Sequence, residues 1–270
     1  MREPWLPPEQ KWERTLHTNG LTCSLIVEPG ELIIDSKPQS FGVPFGPTAR
    51  LILLFLQTQA LEQRSREIEV GNTTYAWLRR LGLSVGGQDY RRFREQMMRL
   101  MTCSVRFLYE NRQENGARIS GFTKNLLIES GVLSLHAGDR QMNLWGDRVV
   151  LSENFYKALI EHPVPIDMYA IKAIMHSSVA LNVYGWLSYR LHVLERPKTV
   201  GWAGLMAQFG IGYSRLRRFK ERFSEALELA LCVYPQARVS LGADGITLYP
   251  SPPPIGERRH LRLVAPAKPA

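Results

Sequence analysis

Cysteine is scarce in this chain of 270 residues: Cys23, Cys103 and Cys232 lie far apart and are odd in number. No CxxC and no Cys/His cluster occurs, which argues against a structural zinc site. Cys103 and Cys232 sit in apolar stretches and are expected to be buried thiols, which fits a reducing, cytoplasmic compartment. Long hydrophobic runs are missing too. The longest strongly apolar run is Leu51–Leu56, far below the about 20 residues a membrane helix needs. The opening stretch MREPWLPPEQKWER has no apolar core of the kind a secretion signal carries. Signatures of catalysis are absent in the same way. There is no GxxxxGK[ST] phosphate loop and no GxSxG. The histidines (His17, His136, His162, His176, His192, His260) and the aspartates (Asp35, Asp89, Asp139, Asp147, Asp167, Asp244) are dispersed, without a nickase-type or primase-type metal cluster. The expectation is a protein that is not an enzyme, with no metal site and no cofactor.

Acidic residues are in deficit. Asp and Glu number 25 against 34 Lys and Arg, a formal charge of +9, and the pI is near 9.6. Such a balance favours a polyanionic partner, nucleic acid first and an acidic membrane surface second.

The basic residues are concentrated in Trp202–Leu231, WAGLMAQFGIGYSRLRRFKERFSEALELAL. The pattern is a helix over Trp202–Phe209, a turn at Gly210–Tyr213, and a second helix with Ser214 as its expected N-cap. Leu216, Phe219, Phe223, Leu227 and Leu231 recur every three or four residues as one apolar stripe. Arg215, Arg218 and Arg222 share another stripe, with Arg217 and Lys220 beside it. A helix buried on one side and basic on the other, preceded by a helix and a glycine turn, has the form of a helix-turn-helix. An ordinary surface helix with a solvated basic face fits the same pattern.

A second occurrence argues for the helix-turn-helix. Trp77 precedes Arg91-Arg92-Phe93-Arg94-Glu95 much as Trp202 precedes Arg217-Arg218-Phe219-Lys220-Glu221, with glycines between in both. The repeat distance is about 125 residues, too long for a solenoid and suited to a duplicated domain. In the first copy a helix is expected over 74–81 and another over 88–101. The second is buried along Phe93, Met97, Leu100 and Met101, with Gln88, Arg91, Arg92, Glu95 and Arg99 on the opposite face and Arg94 at its edge. The runs 104–109 and 119–129 follow as a hairpin, the position of a wing, with 133–136 and 142–151 as further strands of the same sheet. In the second copy 232–241 and 245–249 form the hairpin.

Elsewhere, 1–20 is expected to be an extended arm. Two short strands flank Pro29-Gly30, and 38–47 is a loop. A central buried helix runs to about Gln63, and a short strand follows at 66–70. Ser152 caps a short helix, two more helices cover 167–176 and 179–194, and a strand covers 197–200. The fold class is therefore α+β, two tandem winged-helix domains related by internal duplication. The expected division is an arm at 1–20, an N-terminal winged helix at 21–161, a C-terminal winged helix at 162–250, and a Pro-rich basic tail at 251–270 that is largely disordered.

Several long stretches carry a further resemblance: PFGPTARLILLFLQTQAL (44–61), REIEVGNTTYAWLRRLGL (66–83), GGQDYRRFREQMMRL (86–100), PIDMYAIKAIMHSSVALNVYGWLSYRL (165–191) and WAGLMAQFGIGYSRLRRFKERF (202–223). In this order they resemble the plasmid-encoded RepA replication initiators, across about residues 20–255. The resemblance implies a protein that binds repeated sites (iterons) in double-stranded origin DNA, helps open the duplex, and recruits host replication proteins such as a helicase or its loader. It implies a possible homodimer through the N-terminal winged helix. Base reading would fall on Ser214, Arg215, Arg217, Arg218 and Arg222 of the C-terminal copy, and Lys220 beside them completes its expected DNA-binding set. Arg91, Arg92 and Arg94 would contact the backbone or play supporting roles. A winged-helix transcriptional regulator without a replication role is the competing reading.

Overall fold

The apolar run at 51–56 seeds the centre of the molecule. In a computed structural model, which describes residues 10–18, 21–34, 36–69, 74–112, 118–131 and 148–255, that run lies in a long helix with Leu51, Ile52, Phe55 and Leu56 buried. In chain order the first elements are β1 (Trp12–Thr18), β2 (Leu21–Glu28), β3 (Gly30–Ile34), β4 (Lys37–Phe41), α1 (Gly46–Gln63), β5 (Glu67–Glu69), α2 (Thr74–Leu81) and α3 (Gly87–Thr102). Then come β6 (Ser104–Arg112), β7 (Arg118–Leu126), β8 (Ile128–Gly131), β9 (Arg148–Leu151), α4 (Glu153–Glu161), α5 (Met168–Ile174) and α6 (Ser178–Leu191). The last are β10 (Lys198–Gly201), α7 (Trp202–Phe209), α8 (Leu216–Cys232), β11 (Val239–Leu241) and β12 (Gly245–Leu248). The class is α+β, with helices packed on small antiparallel sheets.

Local chemistry explains the helix starts. Ser152, Asp167 and Ser177 cap α4, α5 and α6, their side chains accepting from the amides of Phe155, Tyr169 and Ala180. Pro47 stands in the first turn of α1, where its missing N–H is no loss.

Two segments repeat one arrangement. In the first, α1 is followed by β5, α2, α3, β8 and β9; in the second, α6 is followed by β10, α7, α8, β11 and β12. The two sheets have the same order. β9 lies between β5 and β8, and β12 lies between β10 and β11. The turns also match: Gly82 between α2 and α3 has φ 75°, and Gly212 between α7 and α8 has φ 83°. That left-handed backbone is one that glycine adopts without strain. A buried Trp–Phe edge contact recurs as well, Trp77 on Phe93 at 5.6 Å and Trp202 on Phe219 at 6.5 Å between ring centroids. The two segments share one core. α6 packs on both α8 and α1, and Arg50 Nε donates to Asn182 Oδ1 across α1 and α6 at 2.8 Å.

This arrangement corrects the reading of β6 and β7. They were expected to be the wing of the first copy, in one sheet with 148–151. Instead they extend a four-stranded sheet, β1-β2-β6-β7, and β9 belongs to the separate sheet with β5 and β8. The run 119–129 is split between the two sheets, with no glycine or proline marking the break at Leu127. The antiparallel pair of the first segment is β8–β9, and the strand expected at 133–136 and residues 142–147 of the next one lie outside the described residues. β6–β7 is an insertion between α3 and β8.

Other expectations also give way. Residues 12–18 were placed in an extended arm, yet they pair with β2 along their whole length. Residues 37–41, most of which were assigned to a loop, form an edge strand on β3. Pro38 stands opposite Ile33 in this two-stranded sheet, where each strand is an edge and proline is tolerated. The strand expected from 232 begins only at Val239, because α8 continues through Cys232, whose thiol is exposed. Cys103 is buried as expected, and burial pushes its thiol up to about 12. The tail starts later than residue 251. Ser251 is buried, its amide donating to Leu191 O, and Tyr234 Oη donates to Pro252 O at 2.7 Å; residues 256–270 lie outside the described residues.

Arg99 is the largest departure on α3. It was placed on the exposed face, but it is 8% exposed. Its Nη1 donates to Val43 O at 3.0 Å, its Nη2 to Glu95 Oε1 at 2.7 Å, and its guanidinium lies 4.9 Å from the Phe45 ring centroid. Beside it, buried Gln96 accepts from the Phe45 amide. Together they pin the chain entering α1 onto α3. Arg99→Ala is expected to destabilise the fold by about 2–3 kcal/mol, since charged hydrogen bonds are lost and a buried carbonyl is stranded. Urea unfolding measures this, and an unchanged midpoint would refute the pinning role.

Candidate nucleic-acid interface

α8 is amphipathic in the way its sequence spacing requires. Phe219, Phe223, Ala226, Leu227 and Ala230 are buried, while Leu216 is exposed and Leu231 half-buried, so the apolar stripe is shorter than expected. Its aromatic side is locked. Phe219 meets Tyr213 at 5.7 Å and Phe223 at 5.5 Å, and Phe223 meets Trp202 at 6.1 Å and Phe209 at 5.4 Å. The basic face is therefore carried on a helix that cannot rotate without breaking this cluster.

Ser214 does not cap the helix. Arg215 occupies the cap position with no side-chain hydrogen bond, and Ser214 is exposed in the turn one residue earlier. The first turn of α8 contains no acidic residue and the last turn no basic one. Both absences run against the helix dipole, which favours anions at the N-terminus and cations at the C-terminus. Arg215, Arg217 and Arg218 are exposed at the N-terminal end, while Glu221, Arg222, Glu225 and Glu228 follow. The dipole and the arginines thus add to one positive end, suited to an anionic partner.

Within that end the arginines differ. Arg217 pairs with Glu221 at 3.3 Å, although its side chain stays 92% exposed. Arg222 pairs with Glu225 at 2.8 Å, and that carboxylate raises its already high pKa. The side chains of Arg215 and Arg218 form no hydrogen bond or ion pair with another described residue. Burial pushes the Tyr213 phenol up, against the lowering effect of Arg222 and Arg218 nearby. Tyr213 is thus a half-buried neighbour of the basic face that the sequence reading missed. Lys220 points elsewhere: its Nζ sits 5.0 Å from the Trp202 ring centroid and 3.4 Å from Ala243 O.

The corresponding helix of the first copy, α3, is less basic at its start. Matching Arg91-Arg92-Phe93 to Arg217-Arg218-Phe219 sets Asp89 against Arg215. Asp89 lies in the first turn of α3 and accepts from the Ser84 hydroxyl. Arg91 and Arg92 are exposed and Arg94 is half-buried. Both helices therefore expose arginines, but only α8 presents them at an N-terminus free of carboxylate. The difference is legible in the sequence when the two basic helices are matched back to Asp89 and Arg215.

The described residues hold no group of three or more His, Cys, Asp or Glu placed to bind a metal ion. None of their helices is long and apolar enough to cross a membrane.

Comparison with known proteins follows the same lines. A family model described as "Plasmid encoded RepA protein" matches residues 43–203. No curated protein matches the chain. Among solved structures, a crystal structure of domains 2 and 3 of RctB, as selenomethionine derivatives, is similar with a TM-score of 0.58 and 11% identity, over 90% of this chain and 93% of that one. A second RctB structure of domains 2–3 gives 0.54 at 10% identity, over 88% and 89%. At such identity the likeness concerns the fold.

Proposed function

Because the chain belongs to the family of plasmid-encoded RepA proteins, we propose that it initiates plasmid replication by binding repeated origin sites sequence-specifically, helping to open the duplex and recruiting host replication proteins. The observation that carries this reading is the uncapped, arginine-rich N-terminal end of α8, whose first turn holds no acidic residue, on a locked aromatic core. An α-helix fits the major groove, and arginine's planar fork pairs with guanine O6 and N7 or grips phosphate.

The repeated order of three helices, a strand and a hairpin supports two winged-helix units, the second with α8 as recognition helix and the turn between β11 and β12 as wing. The first unit contributes Arg91 and Arg92 of α3 to the DNA backbone. Its inserted sheet supports a dimer: β7 is an edge strand with Ile119, Phe122 and Leu126 exposed, and an unpaired edge can pair with its symmetry mate. The protein acts in the cytoplasm by binding, without catalysis.

Footprinting on the DNA flanking the protein's own gene tests this. A ladder of protected direct repeats is expected. One protected palindrome at a promoter would favour the transcriptional regulator instead. Metal-dependent nicking of supercoiled origin DNA would overturn the non-enzymatic reading.

A further inference from the structure

The turn between β11 and β12 is tied to α8 and α7 by one carbonyl. Ala243 O accepts from Trp202 Nε1 at 2.9 Å and from Lys220 Nζ at 3.4 Å, and the same ammonium lies over the face of the Trp202 indole. The Trp202 amide adds a bond to Asp244 O at 3.0 Å, and the Gly242 amide closes the turn onto Gly245 O at 2.8 Å. Trp202 is 6% exposed and packs edge-on against Phe219 and Phe223. A single indole therefore touches the core face of α8, the turn, and the lysine that comes from α8. Lys220 is the half-buried member of an otherwise exposed basic set. Its counterpart in the first copy, Arg94, is half-buried too.

We infer that Lys220 is a positioning residue, not a DNA contact: with Trp202 it clamps the 242–245 turn to α8, so that turn and helix meet DNA as one rigid body. The physical case rests on competition. An ammonium engaged with an aromatic face and a carbonyl is partly desolvated and held in place. Turning it to a phosphate would break both interactions and leave the Ala243 carbonyl with Trp202 Nε1 as its remaining side-chain donor. The turn gains from the clamp because Gly242 and Ala243 are small and exposed, which lets backbone approach a phosphate closely only if the hairpin is held still.

This inference rests on the proposed DNA-binding role of α8. The test uses the full-length protein and two probes, a duplex from its own upstream region carrying the footprinted site and a random duplex of equal length. Lys220→Met and Trp202→Phe are each expected to weaken specific binding about fivefold, the scale of one cation–π contact or hydrogen bond. The double variant is expected to be no weaker than either single one, because both break the same clamp. The salt slope of Lys220→Met stays at the wild-type value, and Lys220→Arg, which can stack and donate similarly, restores wild-type binding. Thermal unfolding of each variant confirms that the fold persists. A slope reduced by about one, with additive losses in the double variant, would make Lys220 a phosphate contact and overturn the clamp. Failure of the wild-type protein to prefer its own site would instead overturn the DNA-binding reading, and the clamp with it.

Discussion

Phe219→Ala is expected to lower the unfolding free energy by about 3–5 kcal/mol, the range for truncating a buried phenylalanine. Phe219 is 1% exposed. Its ring contacts Tyr213, Trp202 and Phe223, and these side chains belong to the turn before α8, to α7 and to α8 itself. A cavity there cannot be filled by moving one neighbour, because each is held by the others. DNA binding is expected to fall further than stability alone explains, since the ring fixes the rotation of α8. Thermal or urea unfolding gives the first quantity, and binding measured well below the melting temperature gives the second. A wild-type unfolding curve would show that the aromatic cluster does not hold the helix.

Arg218→Ala should do the reverse, leaving stability untouched and removing affinity. Arg218 is exposed and has no ion-pair partner among the described residues, so the folded state loses nothing in its absence. If it reads a base, specific binding weakens by ~1–3 kcal/mol while random-sequence binding changes little. Equal losses on both DNAs would make it a phosphate contact. Arg217 and Arg222 are weaker candidates for base reading. Each must first leave a carboxylate, Glu221 or Glu225, although exposed pairs of this kind contribute little and exchange readily. Titrations over a range of salt separate the two outcomes.

How much of this was legible beforehand depends on how local the cause was. The bounds of α2 and α7 follow from apolar periodicity and flanking glycines, and both match residue for residue. The cap of α4 was signalled by Ser152, because a cap is a contact between a side chain and a backbone amide two or three residues on; Ser177 caps α6 in the same way and was not singled out. The cap of α8 was misjudged for the same local reason. Serine is the better capping residue, but the Gly212 turn places Arg215, not Ser214, at the helix start.

The chain's own residues state its basic charge, its missing metal and nucleotide motifs, its α+β class and the duplicated Trp-to-Arg-Arg-Phe pattern, because each is a matter of composition or short-range spacing. Sheet membership is different. A strand's alternation says that one face is buried, not which strand lies beside it. Thus β6 and β7 read as a wing from their position after α3, whereas pairing with β1 and β2 moved them into another sheet. The same holds for charged side chains. Arg99, Lys220 and Arg218 look alike as basic positions on amphipathic helices. Folding buries Arg99 against Val43 O, turns Lys220 onto Trp202 and Ala243, and leaves Arg218 in water. Which of these three stays exposed is decided by neighbours distant in the chain, and only packing brings those neighbours near.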